Sequence, residues 1–367
     1  YHQTFEAGVA LFNGGQTDSA FTVFQNLRLL DTSYAGVHFY IGRCYEKKNN
    51  TGEALREYIQ ARDYDQLRFR ASSDMNNIIR TSCDRENEFF VDTEKMFKDN
   101  SHDSLIGHEL IVEHLHPNSR GYFLMAKQYA HEMRAHQLFA SAEEWNNAHP
   151  FNEDELWESR HVTEFDEQLA HRKTEILTSS WPFTKTTSHS PRLINPSDTL
   201  ESIVENVMRG NGNWLDGHEQ FANYYLRRGE REKAAKEFEV IINQAPYDVQ
   251  PYLKLAHIYL EMGKIEKVQS TLTASLAVEK TILANRALGD IALRQNKPLD
   301  AVSYYEKLAM FSQTKNEQLQ NGYMLALALV RAYQNDAARN QLQLLLQINP
   351  NFTPARELLS KTPAKIN

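Results

Sequence analysis

Residues 222–246 read ANYYLRRGEREKAAKEFEVIINQAP, and this stretch decides the fold. It places small residues, aromatic residues, a glycine and a closing proline at fixed points: Ala222, Tyr225, Gly229, Ala234, Phe238 and Pro246. Small residues let two paired helices approach closely, while the aromatic rings fill the space between them. The glycine accommodates a tight reversal between the helices, and the proline ends the second helix. The stretch therefore predicts a helix hairpin.

The same pattern recurs in two parts of the chain. Near the start, Gly8, Ala20, Phe24 and Leu27 return 34 positions later as Gly42, Ala54, Tyr58 and Ala61. Beyond residue 246 the pattern continues three times, as Ala256, Tyr259, Gly263, Val268 and Leu272, as Gly289, Ala301, Tyr305 and Leu308, and as Ala326, Ala338, Leu342 and Pro350. Its alanine-type position steps by 34, 33 and 37 residues. This period resembles the tetratricopeptide repeat (TPR) family, with two repeats over residues 1–66 and a C-terminal solenoid over 212–364.

The resemblance to TPR proteins implies a mainly α fold, an α-solenoid whose groove holds a protein or a peptide. Such an array binds, and it carries no chemistry of its own. The occupant of the groove stays open at this point. It is either a foreign protein segment or another portion of the same polypeptide, including an N-terminal portion that the printed residues do not contain.

The repeat period is lost over residues 67–136. Within this insert, residues 88–92 read EFFVD, a short apolar run that ends in an acid and predicts a buried parallel strand. A helix capped by Asp74 is expected before the strand, and a helix that opens with Pro117 is expected after it. A helix, a buried strand and a second helix predict the last unit of a doubly wound α/β sheet. Asp92 either lines a site at the end of that strand or caps the next helix.

Residues 109–130, ELIVEHLHPNSRGYFLMAKQYA, carry the pattern that points to chemistry. The block Glu113-His114-Leu115-His116-Pro117 followed by Gly121-Tyr122 resembles the C-terminal part of the SGNH (GDSL-like) hydrolase superfamily, in its TPR-containing branch. In that family a Ser attacks an ester carbonyl, a His takes the proton of the Ser, and an acid three residues earlier orients the His. The resemblance assigns these roles to His116 and Glu113. It implies a serine esterase or deacylase with an ester substrate.

The other parts of such a site are not found in the sequence. The family places its Ser in a Gly-Asp-Ser block and its oxyanion donors, a Gly and an Asn, in two middle blocks, and these groups supply most of the rate. Neither a Gly-Asp-Ser block nor a Gly-x-Ser-x-Gly elbow occurs. We therefore expect the C-terminal portion of a bacterial hydrolase whose missing blocks and membrane anchor lie upstream. The alternative is a non-enzymatic TPR scaffold with a degenerate hydrolase remnant.

Composition and charge exclude other classes of function. The net charge of −8, without a basic stripe, argues against a nucleic-acid partner. The sequence contains no run of about 18 apolar residues, so it predicts no membrane span. Six histidines fall between residues 102 and 136, but no Cys or His-Glu-x-x-His helix accompanies them, so we expect no metal and no cofactor.

Residues 137–211 are expected to form a helical linker and an exposed connector.

Overall fold

The computed structural model describes residues 1–148, 152–181, 183–184 and 199–363. Over these residues the protein is almost entirely helical, which confirms the expectation of a mainly α solenoid of TPR type. The twenty α-helices of the described residues are α1 (His2–Asn13), α2 (Thr17–Leu30), α3 (Ala35–Lys47), α4 (Thr51–Asp63), α5 (Ser73–Glu86), α6 (Thr93–Asp99), α7 (Ser119–Ala135), α8 (Ala142–Asn147), α9 (Glu153–Glu158), α10 (Glu164–Thr178), α11 (Leu200–Met208), α12 (Trp214–Arg227), α13 (Arg231–Gln244), α14 (Val249–Glu261), α15 (Ile265–Val278), α16 (Ile282–Arg294), α17 (Pro298–Met310), α18 (Lys315–Arg331), α19 (Asn335–Ile348) and α20 (Thr353–Lys361).

The chain divides into two compact units. The first contains Tyr1–Arg160 and His171–Ser190, and the second contains His161–Ala170 and Pro191–Asn367. The four domain ranges read from the sequence stay a prediction. Most of the expected exposed connector, residues 185–198, lies outside the described residues. Among the described helices, none has the length and apolar composition that crossing a membrane requires.

The first unit begins with two packed helix hairpins, α1–α2 and α3–α4. Gly8 of α1 faces the ring of Phe24, and a Cβ atom added to Gly8 would lie 2.8 Å from that ring. Gly42 of α3 faces Tyr58 in the same way, also at 2.8 Å. Each aromatic residue follows its glycine by sixteen positions. The predicted role of the small residues is therefore observed directly, because a side chain at either glycine would clash with the ring.

The second unit repeats this arrangement in four hairpins, α12–α13, α14–α15, α16–α17 and α18–α19, and α20 packs against the last of them. Gly289 faces Tyr305 at the same sixteen-residue spacing, again at 2.8 Å from an added Cβ atom. The alanine-type positions of the four hairpins are at most 2% exposed, at Ala234, Val268, Ala301 and Ala338. The hydrophobic core thus runs along the helix pairs.

Each hairpin turn holds one residue with a positive φ angle. Gly229 and Gly263 take φ values of 75° and 71°, as the sequence pattern predicts. The corresponding residues of the next two hairpins are Asn296 and Tyr333, both with φ of 58°. Asn tolerates this conformation, whereas Tyr333 adopts it at a conformational cost. The turn geometry is therefore kept even where the glycine is not.

The α/β unit expected over residues 67–136 is wrong for the described residues. Residues 88–92 have no regular secondary structure, and the described part of the chain contains only an isolated antiparallel bridge between Ile111 and Pro117. A strand needs a neighbouring strand to take up its backbone hydrogen bonds. No bridge pairs residues 88–92 with another described segment, so their high strand propensity produces no sheet.

The insert instead consists of the helices α5, α6 and α7 with a small core of Met96, Phe97, Leu110 and Leu124. Helix α5 buries none of its residues, and its apolar Ile78 is 63% exposed. Its N-cap is Ser72, whose side chain accepts the backbone N–H of Met75, so the expected cap at Asp74 is wrong by two positions.

Glu94 of α6 ties the insert to the last repeat helix of the first unit. Its carboxylate accepts hydrogen bonds from Arg62 of α4 at 3.0 Å and from Asn76 of α5 at 2.7 Å. Lys98 lies 2.9 Å away on the next turn of α6. Burial raises the pKa of Glu94, but the bonds from Lys98 and Arg62 outweigh burial and lower it to about 2. An ionised carboxylate therefore joins α4, α5 and α6.

Candidate functional site

A tight loop before α7 carries the predicted catalytic pair. The bridge between Ile111 and Pro117 closes the loop, and the N–H of Val112 donates to the carbonyl of His116 at 2.8 Å. The chain therefore turns back on itself over residues 112–116. This turn brings position 113 close to position 116, which is why a spacing of three residues suffices for a side-chain contact.

Helix α7 anchors this loop. Asn118 is its N-cap, and the Asn118 side chain accepts the N–H of Gly121 at 3.0 Å. The N–H of Asn118 donates to the carbonyl of Leu110 at 2.9 Å. A Cβ atom on Gly121 would lie 2.3 Å from that carbonyl oxygen. The glycine of the Gly-Tyr pair is therefore required by the close approach of the loop to the helix.

The carboxylate of Glu113 contacts the imidazole of His116 through Oε1 and Nδ1. It also accepts the backbone N–H groups of Leu115 at 2.8 Å and of His116 at 3.2 Å. The Glu113 side chain is 5% exposed, whereas the His116 side chain is 62% exposed. A buried acid thus holds an imidazole that is open to solvent.

The charge of Glu113 suits this position. Burial raises its pKa, but hydrogen bonds from the His116 side chain and from the N–H groups of Leu115 and His116 lower it below the ordinary value. The carboxylate is therefore ionised at neutral pH. An ionised acid at Nδ1 fixes the orientation of the ring.

His114 lies on the other side of the same carboxylate. Its Nδ1 is 2.5 Å from Glu113 Oε2, although the angle does not make a hydrogen bond. Its ring packs against Phe69, with centroids 5.1 Å apart, and against Phe183, at 4.7 Å. Two aromatic rings therefore cover much of the His114 ring, whose side chain is 24% exposed.

A hydrolytic site needs more than this pair. In the described residues, no hydroxyl group hydrogen-bonds to the His116 ring, and no three His, Cys, Asp or Glu side chains are placed to hold a metal ion. Asp92 takes the second of its two expected roles, since it caps α6 by accepting the N–H of Lys95 at 2.9 Å. The catalytic roles of Glu113 and His116 stay a prediction.

A second candidate surface lies on the first helices of the hairpins in the second unit. Glu219 of α12 contacts Lys254 of α14, and Arg286 of α16 donates to Asn321 of α18 at 2.7 Å. Such contacts show that first helices of successive hairpins lie side by side. Their uncovered residues include Leu260 and Leu283, which are 49% and 65% exposed.

Sequence reasoning missed two buried His–Glu pairs. His38 Nδ1 lies 2.7 Å from Glu57 Oε2 in the first unit, and His218 Nδ1 lies 2.5 Å from Glu237 Oε2 in the second. Each His precedes the small residue of its hairpin by four positions and its Glu partner by nineteen. The recurring spacing was the signal that the sequence offered. Each His–Glu pair joins the two helices of its hairpin.

No family model and no curated protein matches the chain. Among solved structures, the C-terminal part of a TPR repeat-containing protein from Cytophaga hutchinsonii is 13% identical, with 97% of this chain and 99% of that chain covered and a TM-score of 0.36. YrrB, described as a TPR protein with an unusual peptide-binding site, is 13% identical over 45% of this chain and 83% of its own, with a TM-score of 0.36. MamA from Desulfovibrio magneticus RS-1 is 16% identical over 41% and 84%, with a TM-score of 0.34. Likeness of this degree carries no argument about binding or activity, and the repeat architecture rests on the hairpins of this chain.

Proposed function

We propose that the protein is a TPR scaffold that binds a segment of another protein on the first helices of its hairpins. The observation that supports this proposal is that each hairpin has a buried inner face and an exposed outer face. Residues of the sequence repeat are buried in the core between the helices, which leaves exposed apolar side chains on the outer faces of α14 and α16. Repeat arrays use such faces as extended binding surfaces.

The chemistry of this surface fits a peptide. Leu260 and Leu283 offer exposed apolar contacts, while His257 and Arg294 are exposed polar groups on the same helices. Apolar anchors surrounded by hydrogen-bonding side chains are the usual composition of a peptide-binding surface. The occupant is a foreign protein segment in this proposal.

The test is a peptide-display selection against the full chain, followed by binding measurements with two matched variants. Leu283→Asp alters a first helix, and Leu299→Asp alters a second helix at a leucine of similar exposure, 65% against 62%. We expect selected peptides to lose at least about tenfold in affinity with Leu283→Asp and to keep it with Leu299→Asp. Equal effects of the two variants, or no selected peptide, would contradict the proposal.

Ester hydrolysis is a second candidate function, and one specific observation favours it. The contact between the buried Glu113 carboxylate and the exposed His116 imidazole is the arrangement that a general base and its orienting acid need. In this proposal His116 takes the proton of a Ser hydroxyl that attacks an ester carbonyl, and Glu113 orients the ring. The Ser and the oxyanion donors would come from polypeptide beyond the printed residues.

Turnover of 4-nitrophenyl acetate by the full-length protein tests this second candidate. His116→Ala should reduce kcat by about a hundredfold or more, because it removes the general base. His102→Ala is the matched control, since His102 is also exposed and lies in the same insert. Unchanged turnover with His116→Ala would remove the catalytic assignment and leave the scaffold proposal intact.

A further inference from the structure

A short segment of the chain is seated on the first hairpin of the second unit. Residues 161–170 belong to that unit. Their contacts with α12 and α13 include those of three consecutive side chains at the start of α10, Glu164, Phe165 and Asp166. Short segments that bind a folded receptor do so through a few anchoring side chains.

Phe165 fills a closed space on α12. Its side chain is fully buried, with ring centroids 4.7 Å from His218 and 5.0 Å from Phe221. A Cβ atom on Gly217 would lie 2.1 Å from the tip of the ring. The hairpin therefore leaves a space at Gly217 that an aromatic ring occupies.

The two acids that flank Phe165 meet polar groups of the hairpin. Asp166 accepts a hydrogen bond from the indole N–H of Trp214 at 2.9 Å, and Glu164 accepts one from the hydroxyl of Tyr225 at 2.7 Å. Lys233 lies 3.8 Å from Glu164. The hairpin thus supplies donors and a positive charge at the positions where the segment supplies carboxylates.

His218 connects the segment to the interior of the hairpin. Its fully buried ring lies between two carboxylates, with Nδ1 2.5 Å from Glu237 and Nε2 3.3 Å from Asp166. In the equivalent pair of the first unit, Nε2 of His38 faces the carbonyl oxygen of Thr32 at 2.9 Å instead. The second acid is therefore specific to the hairpin that holds the segment. Two carboxylates close to one ring favour the protonated imidazole.

We propose that the α12–α13 hairpin is a recognition site for a helix that begins with Glu-Phe-Asp, and that residues 161–170 of this chain fill the site in cis. Aromatic insertion at Gly217 and acid contacts to Trp214, His218 and Tyr225 define the ligand. Tethering gives the cis segment a high effective concentration, so it keeps out the same sequence added in trans. The site differs from the exposed first-helix surface proposed above, and either proposal can fail without the other.

Proton binding at this site gives the contact a pH dependence. The groups that face His218 are Glu237 of α13, Asp166 of α10 and the rings of Trp214 and Phe165. Burial lowers the pKa of His218, but Asp166 and Glu237 outweigh burial and raise it above 6.5. A histidine whose pKa is raised in the folded state stabilises that state fully when the pH is below its pKa in the unfolded chain. The stabilisation is lost as the pH rises through the pKa of the folded state.

The carboxylates add to this dependence. Burial raises the pKa of Glu237 above 4.5, so its ionisation lowers the stability of the folded hairpin as pH rises. Burial raises the pKa of Asp166, but bonds from His218 and from Thr163 outweigh burial and lower it below 3.8. The contact is therefore strongest in mild acid and weaker in alkali.

Trans binding of a synthetic peptide with residues 161–178 tests the proposal. The receptor is the full chain with Phe165→Ala and Asp166→Ala, which removes the ring and one of the two acids of the cis segment from the site, and fluorescence anisotropy at about pH 6 reports binding. We expect this variant to bind the peptide at least about tenfold more tightly than the unaltered chain, whose own segment competes. A peptide that carries Phe165→Ala should not bind. Failure of the natural peptide to bind a folded double variant would overturn the proposal.

Hydrogen–deuterium exchange on the unaltered chain decides the matter if the double variant does not fold. Amides of residues 164–170 should exchange by local opening, faster than those of α13 after correction for intrinsic rates. Their protection should fall between about pH 6 and about pH 8. Exchange of the segment together with α13 at both pH values would show that it is ordinary core and would overturn the proposal.

Discussion

The helix hairpins and the insert over residues 67–136 are built from the same residue types but pack very differently. A hairpin such as α16–α17 buries Leu288, Tyr305 and Leu308 at 2% exposure or less. Helix α5 of the insert buries none of its residues. An apolar pattern therefore produces a core only where a neighbouring element lies at the right distance, and in the hairpins the sequence repeat supplies that neighbour.

The hairpins and the insert therefore contribute differently to the stability of the protein. The hairpins contain most of the buried core of each unit and also expose side chains on their outer faces. The insert carries the loop with Glu113 and His116, held by a small core and by the polar contacts of Glu94. Substitutions in the hairpins should therefore change the free energy of unfolding far more than substitutions in the insert.

The largest expected effect is that of Tyr305→Ala. It removes a fully buried ring that faces Gly289 and donates a hydrogen bond to Asp290 at 2.5 Å. We expect the free energy of unfolding to fall by about 3–5 kcal/mol in urea titration. Tyr304→Ala, at a partly exposed neighbour, is the control and should cost about 1 kcal/mol or less. Similar losses in the free energy of unfolding for the two variants would contradict the contrast between core and surface.

A clash at the small position should have the next largest effect. Gly289→Val places a side chain against the Tyr305 ring, where even a Cβ atom would lie at 2.8 Å. We expect a loss of about 2–3 kcal/mol in the same measurement. Gly52→Ala is the control, since an added Cβ atom there meets nothing within 4 Å. That control should leave stability unchanged or raise it by up to about 1 kcal/mol. Tolerance of Gly289→Val would refute the close approach of α16 and α17.

The polar anchor of the insert should have a smaller effect. Glu94→Gln weakens the contacts with Arg62 and Lys98, and we expect a loss of about 1–2 kcal/mol at neutral pH. Because the pKa of Glu94 is lowered from 4.5 to about 2, its contribution is full above pH 4.5 and is lost as pH falls towards 2. Urea titrations of both proteins across this range test the sign. Glu88→Gln, at an exposed residue, serves as the control.

The smallest effect is expected on the uncovered face of α5. Ile78→Ser should change the free energy of unfolding by no more than about 0.5 kcal/mol, because Ile78 is 63% exposed. Leu27→Ser, at a residue that is 2% exposed in the first hairpin pair, is the comparison and should cost several times more. A large loss with Ile78→Ser would mean that the face is covered.

The sequence predicted the hairpins because their determinants are local. Gly42 and Tyr58 lie sixteen positions apart, and the same spacing returns at Gly289 and Tyr305. The contact of Glu113 with His116 was also predictable, since the two residues lie only three positions apart. The strand at residues 88–92 was predicted wrongly because strand propensity was read without a partner strand. The contact of Asp166 with Trp214 spans 48 positions, and no periodicity in the sequence points to it.

The central claim is that the first helices of the hairpins, rather than the insert, bind a protein segment. Hydrogen–deuterium exchange of the full chain, with and without a peptide obtained by display selection, tests it most directly. The account predicts added protection in α14 and α16 and none over residues 67–136. Added protection confined to residues 67–136 would contradict it.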